Sequence, residues 1–409
     1  MATCKWRGDA PAVAQINTVM PASVTIGNIF TLTMNGKTVT FTATAATVAN
    51  VTAGLAAAVA ASTIAEFQEV TATDNTTTLT LTANTAGVPF TQTSSSADGS
   101  GSAGHSLNTS TTTANSGPNN WDVAANWSGA AVPVDGDDVY IENSSVDILY
   151  GISQSSIDLL TLNIAASFTG KLGLPTINES GGYYEYRTRY LTLTADTVNV
   201  GYGEGSGSGR ILLSLGANAT VLVVTTTGSP IESAVPALVV AGSASTYTLT
   251  VLGGSVGIAT EVGQAAVLDV VTISGTGNIT LGSGCTLTTV TLDAGTLTTN
   301  SNVTTINVVD GTATIQAGTV GTLNQDGGVV DYRSTGTMTS AKVGTGATLD
   351  FTQDPRARTV SACTLEATGT ITDTYKSVTW TTGIDLIRCS LAEVTLDLGT
   401  HVTITPSAV

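Results

Sequence analysis

Apolar and polar residues alternate along much of the first 91 residues. Residues 29–34 and 38–43 alternate in this way around Asn35-Gly36, a dipeptide that favours a tight hairpin turn between two strands. The pattern then changes, because apolar residues recur every three or four positions at Val48, Val51, Leu55 and Val59. That spacing predicts one amphipathic helix within an alanine-rich stretch.

Two further strands are predicted at 69–73 and 77–83, on either side of Asp74-Asn75. The resulting order is β-β-α-β-β, and a helix packed on one face of an antiparallel sheet would bury its apolar stripe. We therefore expect a small α+β domain at 1–91 that anchors the protein or mediates assembly contacts. Residues 92–119 are mostly Ser, Thr, Gly and Asn, a composition that predicts a linker.

A different pattern begins at residue 120. Trp121 and Trp127 lie six residues apart, and they precede Pro133, a turn and a short alternating run at 138–141. This order indicates the capped start of a stack of strands.

The C-terminal half repeats a glycine turn followed by a short alternating strand. The turns lie at Gly277, Gly295, Gly311, Gly328 and Gly346, which are 18, 16, 17 and 18 residues apart. A period near 17 is typical of a β-solenoid, because a single coil cannot bury its own apolar face and must stack on the next. We predict a mainly β protein in which 120–409 form a parallel β-helix. The alternative, a string of β-sandwiches, should contain hairpins and regular aromatic anchors, of which the sequence has few.

Composition supports a strand-rich chain and limits its partners. The 76 threonines favour strands and the 44 glycines supply turns. Only 13 Lys and Arg face 30 Asp and Glu, for a net charge of -17, and no cation lies between Lys37 and Lys171. Nucleic-acid binding needs cations that displace counterions, so we expect no nucleic-acid partner. No apolar run reaches the ~18 residues of a membrane span.

The sequence offers little material for catalysis. His105 and His401 lie far apart, and the four cysteines (Cys4, Cys285, Cys363 and Cys389) show no C-x-x-C spacing. We therefore expect no zinc site, no Ser-His-Asp triad, no cofactor and no enzymatic activity. Glycan cleavage would need two convergent carboxylates, and nothing in the sequence pairs the acidic residues of this region, Asp158, Glu179, Glu185 and Glu204.

Two segments are candidate binding sites. Asp135, Asp137 and Asp138 cluster in one turn, where carboxylate oxygens suit calcium, although ordinary turn chemistry explains the same residues. The second segment holds Tyr183, Tyr184, Tyr186, Arg187, Arg189 and Tyr190. In a strand, Tyr184, Tyr186 and Tyr190 would share one face. Because Tyr and Arg are frequent in interfaces, the segment is a candidate subunit, capsid or glycan contact, or else a strand packed on neighbouring coils.

Two stretches of the chain resemble known families. The run from Trp121 through Asn126-Trp127-Ser128-Gly129 to Gly136-Asp137-Asp138 resembles the segment that opens parallel β-helices in autotransporter-like adhesins. Residues 30–41, with the helix and strands that follow, resemble a small domain of tailed-phage virion proteins. The resemblance implies a head decoration protein, head fibre or tail fibre, a class that usually forms homotrimers.

The first residues, Met1 to Asp9, contain no apolar stretch of a secretory signal, yet the composition is typical of extracellular adhesins. We therefore expect a non-enzymatic structural protein of a phage virion, made in the host cytoplasm, that contacts itself and a major capsid or other virion protein. The alternative is a tail fibre or cell-surface adhesin that binds host glycans.

Overall fold

The computed structural model describes residues 2–99, 104–216, 220–242, 247–398 and 402–406. Its dominant feature is a stack of parallel strands, in which each coil pairs with the coil before it and the coil after it. The mainly β fold, with a small N-terminal α+β domain and a parallel β-helix, is confirmed, and the β-sandwich alternative is wrong because sandwich strands pair antiparallel.

The chain opens with β1 (Thr3–Lys5). The elements of the N-terminal domain are β2 (Ile16–Ala22), β3 (Ile29–Met34), β4 (Lys37–Thr42), α1 (Val48–Ala60), a 3-10 turn (Phe67–Glu69), β5 (Val70–Asp74), β6 (Leu79–Ala83), β7 (Thr93–Ala97) and β8 (Ser106–Thr113). The predicted β-β-α-β-β order corresponds to β3 to β6, and α1 buries Val51, Leu55 and Val59 as its spacing predicted. The Thr47 side chain caps α1 by accepting a hydrogen bond from the Asn50 N–H.

The prediction of a linker at 92–119 is wrong. β7 pairs antiparallel with β3, and β8 pairs antiparallel with β2, so both strands complete the sheets of the N-terminal domain. The two sheets have the orders β5-β6-β2-β8 and β4-β3-β7, which places β7 and β8 at sheet edges. Edge strands pair through the backbone and bury little, and of the two only β8 buries an apolar side chain, Leu107. Their Ser/Thr composition therefore lacks the apolar alternation by which a strand is predicted from sequence.

The boundary at residue 1 also needs correction, because the N-terminal domain is inserted into the solenoid. β1 pairs in parallel with β9 (Asp138–Ile141) and so belongs to the first coil. The chain then leaves to build the domain and returns through an antiparallel bridge between Val13 and Ser116. Two chain passages therefore connect the domain to the solenoid.

The solenoid continues through alternating long and short strands and two 3-10 turns. They are a 3-10 turn (Ala124–Asn126), β9, β10 (Ser153–Ala165), β11 (Leu191–Tyr202), β12 (Ile211–Leu215), β13 (Thr220–Val224), β14 (Leu238–Ala241), β15 (Tyr247–Val251), β16 (Ser255–Ile258), β17 (Ala266–Ile273), β18 (Asn278–Leu281), β19 (Cys285–Leu292), β20 (Thr296–Thr299), β21 (Val303–Val308), β22 (Thr312–Ile315), β23 (Val320–Gln325), β24 (Val329–Tyr332), β25 (Met338–Val343), β26 (Thr348–Asp350), β27 (Arg358–Leu365), β28 (Thr370–Thr372), β29 (Val378–Trp380), β30 (Ile384–Leu386), a 3-10 turn (Leu391–Glu393), β31 (Thr395–Asp397) and β32 (Ile404–Pro406).

Register explains both the core and the glycine repeat. Ile279, Leu297 and Ala313 are aligned on consecutive short strands and are fully buried, while the threonines beside them point outward. Gly295 lies in the turn before β20 at φ +84, and a Cβ there would approach the Gly277 carbonyl oxygen of the previous coil to 2.3 Å. A Cβ at Gly311 or Gly328 would likewise come to 2.5 Å from a carbonyl oxygen of the previous coil, so these stacked turns require glycine.

Tryptophans close the first coil. The Trp127 ring packs edge-on against Trp121 at 4.6 Å and against Trp6 at 5.2 Å, measured between ring centres. The buried Asn126 side chain donates to the carbonyls of Gly117 and Asn120. The predicted cap is present, and it includes β1. Within the described residues, every helix is too short or too polar to cross a membrane.

Candidate functional site: the junction between the inserted domain and the solenoid

The Tyr183–Tyr190 segment does not form a strand. It lies on an excursion of residues 173–190, which leaves the stack after Leu172 and rejoins it at β11. The Asn178 side chain accepts hydrogen bonds from the N–H groups of Ser180 and Gly181, and Gly182 has φ +67, so the chain reverses direction here. The predicted sharing of one strand face by Tyr184, Tyr186 and Tyr190 is therefore wrong.

Arg187 joins this excursion to the inserted domain. Its side chain is 6% exposed, and it contacts the Glu69 carboxylate at 2.6 Å and the Glu185 carboxylate at 3.0 Å. Its Nε donates to the carbonyl of Pro89 at 2.7 Å. One guanidinium thus binds two points on the domain and one on its own loop, and we call this group the Arg187 clasp.

Two tyrosines complete the clasp. The hydroxyls of Tyr183 and Tyr186 both donate to the Glu69 carboxylate, and their rings lie 5.9 Å apart. The Arg187 guanidinium lies 4.5 Å from the centre of the Tyr186 ring, within the range of a cation–π contact. Burial raises the pKa of both tyrosines, and the negative charge of Glu69 adds to the effect, so both remain protonated donors.

Arg189 and Tyr190 bind a different part of the chain. The two terminal nitrogens of Arg189 each lie 2.9 Å from one oxygen of Glu261, which is a bidentate pair. The Tyr190 hydroxyl accepts a hydrogen bond from Gln264 at 2.8 Å. These contacts fasten the excursion to the turn that precedes β17.

Tyr184 differs from the other five candidate contact residues. Tyr184 is 74% exposed, and its backbone carbonyl accepts a hydrogen bond from the Asn35 side chain. The other five (Tyr183, Tyr186, Arg187, Arg189 and Tyr190) have side-chain partners within this chain. Only Tyr184 therefore presents its side chain to another molecule without breaking such a bond.

The acidic turn at 135–138 distributes its carboxylates among separate partners. Asp137 is 4% exposed and accepts hydrogen bonds from the N–H groups of Ala2 and Val134. Asp135 accepts from the Asp158 N–H, and Asp138 accepts from the Thr161 hydroxyl. Burial alone would raise the pKa of Asp137, but its hydrogen bonds outweigh burial and lower it. In the part of the chain that the structure describes, no three acidic, His or Cys side chains are grouped to hold a metal ion.

Glu179, Glu185 and His105 have partners within the chain. Glu185 has a side chain that is 1% exposed and bonds to Arg187 and Asn178, while Glu179 pairs with Lys171 and Arg210. His105 contacts the Ser96 hydroxyl, and His401 lies outside the described residues.

The cysteines behave as apolar residues. Cys4, Cys285 and Cys363 are buried, Cys389 is half-buried, and all four are free thiols. Burial raises the pKa of Cys285 and Cys363 to about 12, so both are protonated and unreactive at neutral pH.

Sequence reasoning missed Glu69, Pro89 and Tyr150, which form the other side of this junction. One signal was present: no Lys or Arg lies between 37 and 171, although this stretch carries Glu66 and Glu69. A carboxylate in a packed domain needs a counter-charge, and the nearest cations along the chain lie at Lys37 and beyond 170. The separation of Glu69 and Arg187 by 118 residues prevented a specific assignment.

A cleft of about 390 Å³ opens at the junction. It is lined from the domain by residues that include Gln68, Glu69 and Pro89, and from the solenoid by Tyr150 and Arg187. A second cleft, of about 240 Å³, shares Pro89, Tyr150 and Arg187 with the first. Comparison of the chain with protein-family models, with curated proteins and with solved structures finds no significant match.

Proposed function

We propose that this protein is a non-enzymatic structural component of a phage particle, of the capsid-decoration or head-fibre kind, that displays the inserted domain on a stiff solenoid. The observation that carries the proposal is that the two parts are connected at several separate points. β1 belongs to the first coil, and Val13 and Ser116 pair where the chain enters and leaves the inserted domain. The Arg187 clasp connects the excursion to the domain at a separate point.

The construction of the solenoid supports a mechanical role. Each coil hydrogen-bonds to both neighbours through parallel ladders, for example from Leu287 to Val303 and from Val303 to Val320. The core consists of stacked aliphatic side chains, and the outer surface is rich in threonine and carries few charges. Stability in such a stack is a sum of coil and interface contributions, so no single surface site limits it.

Localisation on particles tests the proposal. Antibodies against the chain, detected with gold on density-purified phage particles, should label the particle, and we expect the label on the head surface. Label at the tail tip would contradict the head position and favour a tail fibre, and absence from particles would contradict the virion role itself.

The mass in solution tests the accompanying assembly hypothesis. Light scattering after size-exclusion chromatography should give about three times 41.1 kDa for a homotrimer. A monomer would contradict self-assembly in solution and leave contacts with a major capsid protein as the means of attachment.

A further inference from the structure

The larger junction cleft has the dimensions of a small-molecule site. Its volume of about 390 Å³ lies within the ~300–1,000 Å³ typical of ligand pockets. It lies where two parts of the chain meet, which is a preferred location of such pockets. Tyr150 lines both this cleft and the adjoining one of about 240 Å³.

The charged residues of the cleft are already neutralised by one another. Glu69 accepts hydrogen bonds from Tyr183, Tyr186 and Arg187. Arg187 in turn donates to Glu69, Glu185 and the Pro89 carbonyl. A phosphate or a carboxylate ligand would have to displace one of these partners, so the cleft favours a neutral ligand.

Four neutral polar side chains of the cleft, those of Gln68, Thr85, Tyr150 and Ser180, have no hydrogen-bond partner among the described residues. The Tyr150 hydroxyl makes no hydrogen bond, and neither does the side-chain amide of Gln68. Burial raises the pKa of Tyr150, so its hydroxyl is available as a donor. Val88, Pro89 and Phe90 contribute apolar lining to the same cleft.

We propose that this cleft binds one neutral sugar unit of a saccharide, with the Tyr150 hydroxyl and the Gln68 amide bonded to sugar hydroxyls. A sugar ring combines hydroxyls at its edge with an apolar C–H face, and the cleft offers both kinds of partner, polar groups without a hydrogen bond and apolar lining residues. This binding activity goes beyond the structural role, and it does not depend on the virion assignment. The bound sugar ring would lie at the junction between the inserted domain and the excursion of residues 173–190.

Titration calorimetry and saturation-transfer NMR test the proposal with defined probes. The neutral probes are glucose, galactose and mannose, each as the monosaccharide and as a linear tetrasaccharide, and sialyllactose is the charged comparison. Binding of monosaccharides would identify free sugar as sufficient, and binding of tetrasaccharides alone would identify a polymer chain as the source. Neutral probes should bind and sialyllactose should bind more weakly.

Variants locate the site. Tyr150→Phe removes one hydroxyl and should weaken binding about 2- to 10-fold, the effect of one neutral hydrogen bond. Thr85→Trp fills the rim of the cleft from an exposed position and should abolish binding. Tyr375→Phe, at a 58% exposed tyrosine that does not line the cleft, is the matched control and should bind as the wild type does.

Three outcomes would overturn the proposal: no binding by any neutral probe, sialyllactose binding as tightly as neutral probes, or wild-type affinity in both Tyr150→Phe and Thr85→Trp. Thermal melting of each variant controls for folding, and Gln68→Ala, at an exposed side chain, replaces Thr85→Trp if that variant melts early. Particle labelling and sugar binding are independent measurements, so failure of one leaves the other interpretable.

Discussion

Replacement of Arg187 by methionine should open the junction without unfolding the solenoid. Arg187 and Glu185 are nearly inaccessible to solvent, and Glu69 is 23% exposed. Loss of one partner from a buried ion pair costs about 3–5 kcal/mol, because the remaining charge is left without compensation. Methionine retains much of the volume, so the charge is the main change.

The lower end of that range applies here. Glu185 keeps three hydrogen bonds in the variant, from the Asn178 side chain and from the backbone N–H groups of Tyr186 and residue 187. Glu69 keeps the two tyrosine hydroxyls and is partly solvated. We therefore expect a cost of about 3 kcal/mol, which corresponds to an equilibrium for local opening that is on the order of 100-fold larger.

Hydrogen exchange measures this opening directly. The N–H groups of Asn178 and Glu185 donate to the carbonyls of Tyr183 and Thr176 within the excursion, and the peptide 174–190 should exchange about 100-fold faster in R187M. Peptides from β19 to β25 should exchange at the wild-type rate. The variant K342M is the matched control, because Lys342 is 42% exposed and its pair with Asp326 should contribute at most about 1 kcal/mol.

A second substitution separates charge from packing. Adding E185Q to R187M removes the unpaired buried carboxylate and should recover part of the lost protection. If R187M exchanges no faster than K342M, the clasp does not hold the junction and the reasoning is wrong. If R187M also accelerates exchange throughout the solenoid, the junction and the stack are one cooperative unit, which contradicts the local-opening argument.

Three further predictions concern the solenoid. G295A should lower the denaturant midpoint of unfolding more than G346A does. Both residues have positive φ, which costs an alanine about 1–2 kcal/mol, but only a Cβ at 295 would meet the preceding coil. Equal losses of stability in the two variants would contradict close stacking of the turns. D137N should have a lower free energy of unfolding than the wild type at pH 7. Because folding lowers the pKa of Asp137, this difference in stability should shrink as the pH falls below about 4 and through the native pKa. A stability difference that does not depend on pH would contradict the lowered pKa of Asp137. The thiol of Cys363 should react with an aromatic disulfide reagent only after denaturation, and fast labelling in the native protein would contradict its burial.

The parts of the fold that sequence predicts are those in which neighbours along the chain determine the outcome. The hairpin at Asn35-Gly36 and the helix α1 follow from local turn chemistry and spacing, and both occur. The coils follow from a glycine repeat, and close approach of stacked turns explains the glycines at three successive steps, Gly295, Gly311 and Gly328. In contrast, β7 and β8 carry no apolar alternation, because edge strands need only backbone partners.

The sequence indicates a contact segment at 183–190 and leaves its partner open. In the structure Tyr183, Tyr186 and Arg187 contact the inserted domain, and Arg189 and Tyr190 contact the turn before β17. Enrichment in aromatic and guanidinium groups indicates desolvated contact in general, so it does not distinguish another chain from a distant part of the same one. The strand interpretation failed because the Asn178 turn outweighs the strand preference of tyrosine.

The few buried arginines of this chain occupy similar places in the fold. In regular coils the backbone ladders and aliphatic stacks hold neighbouring strands together, so ion pairs are not needed for coil-to-coil contact. The buried arginines are instead found where the repeat is interrupted. Arg187, Arg189 and Arg210 fasten the excursion at 173–190, and the fully buried Arg358 side chain donates to backbone carbonyls that include those of Tyr332 and Arg356 at the insertion before β27. In a chain with 11% charged residues, a buried arginine therefore indicates an interruption of the repeat. The densest group of arginines lies at the junction between the solenoid and the inserted domain.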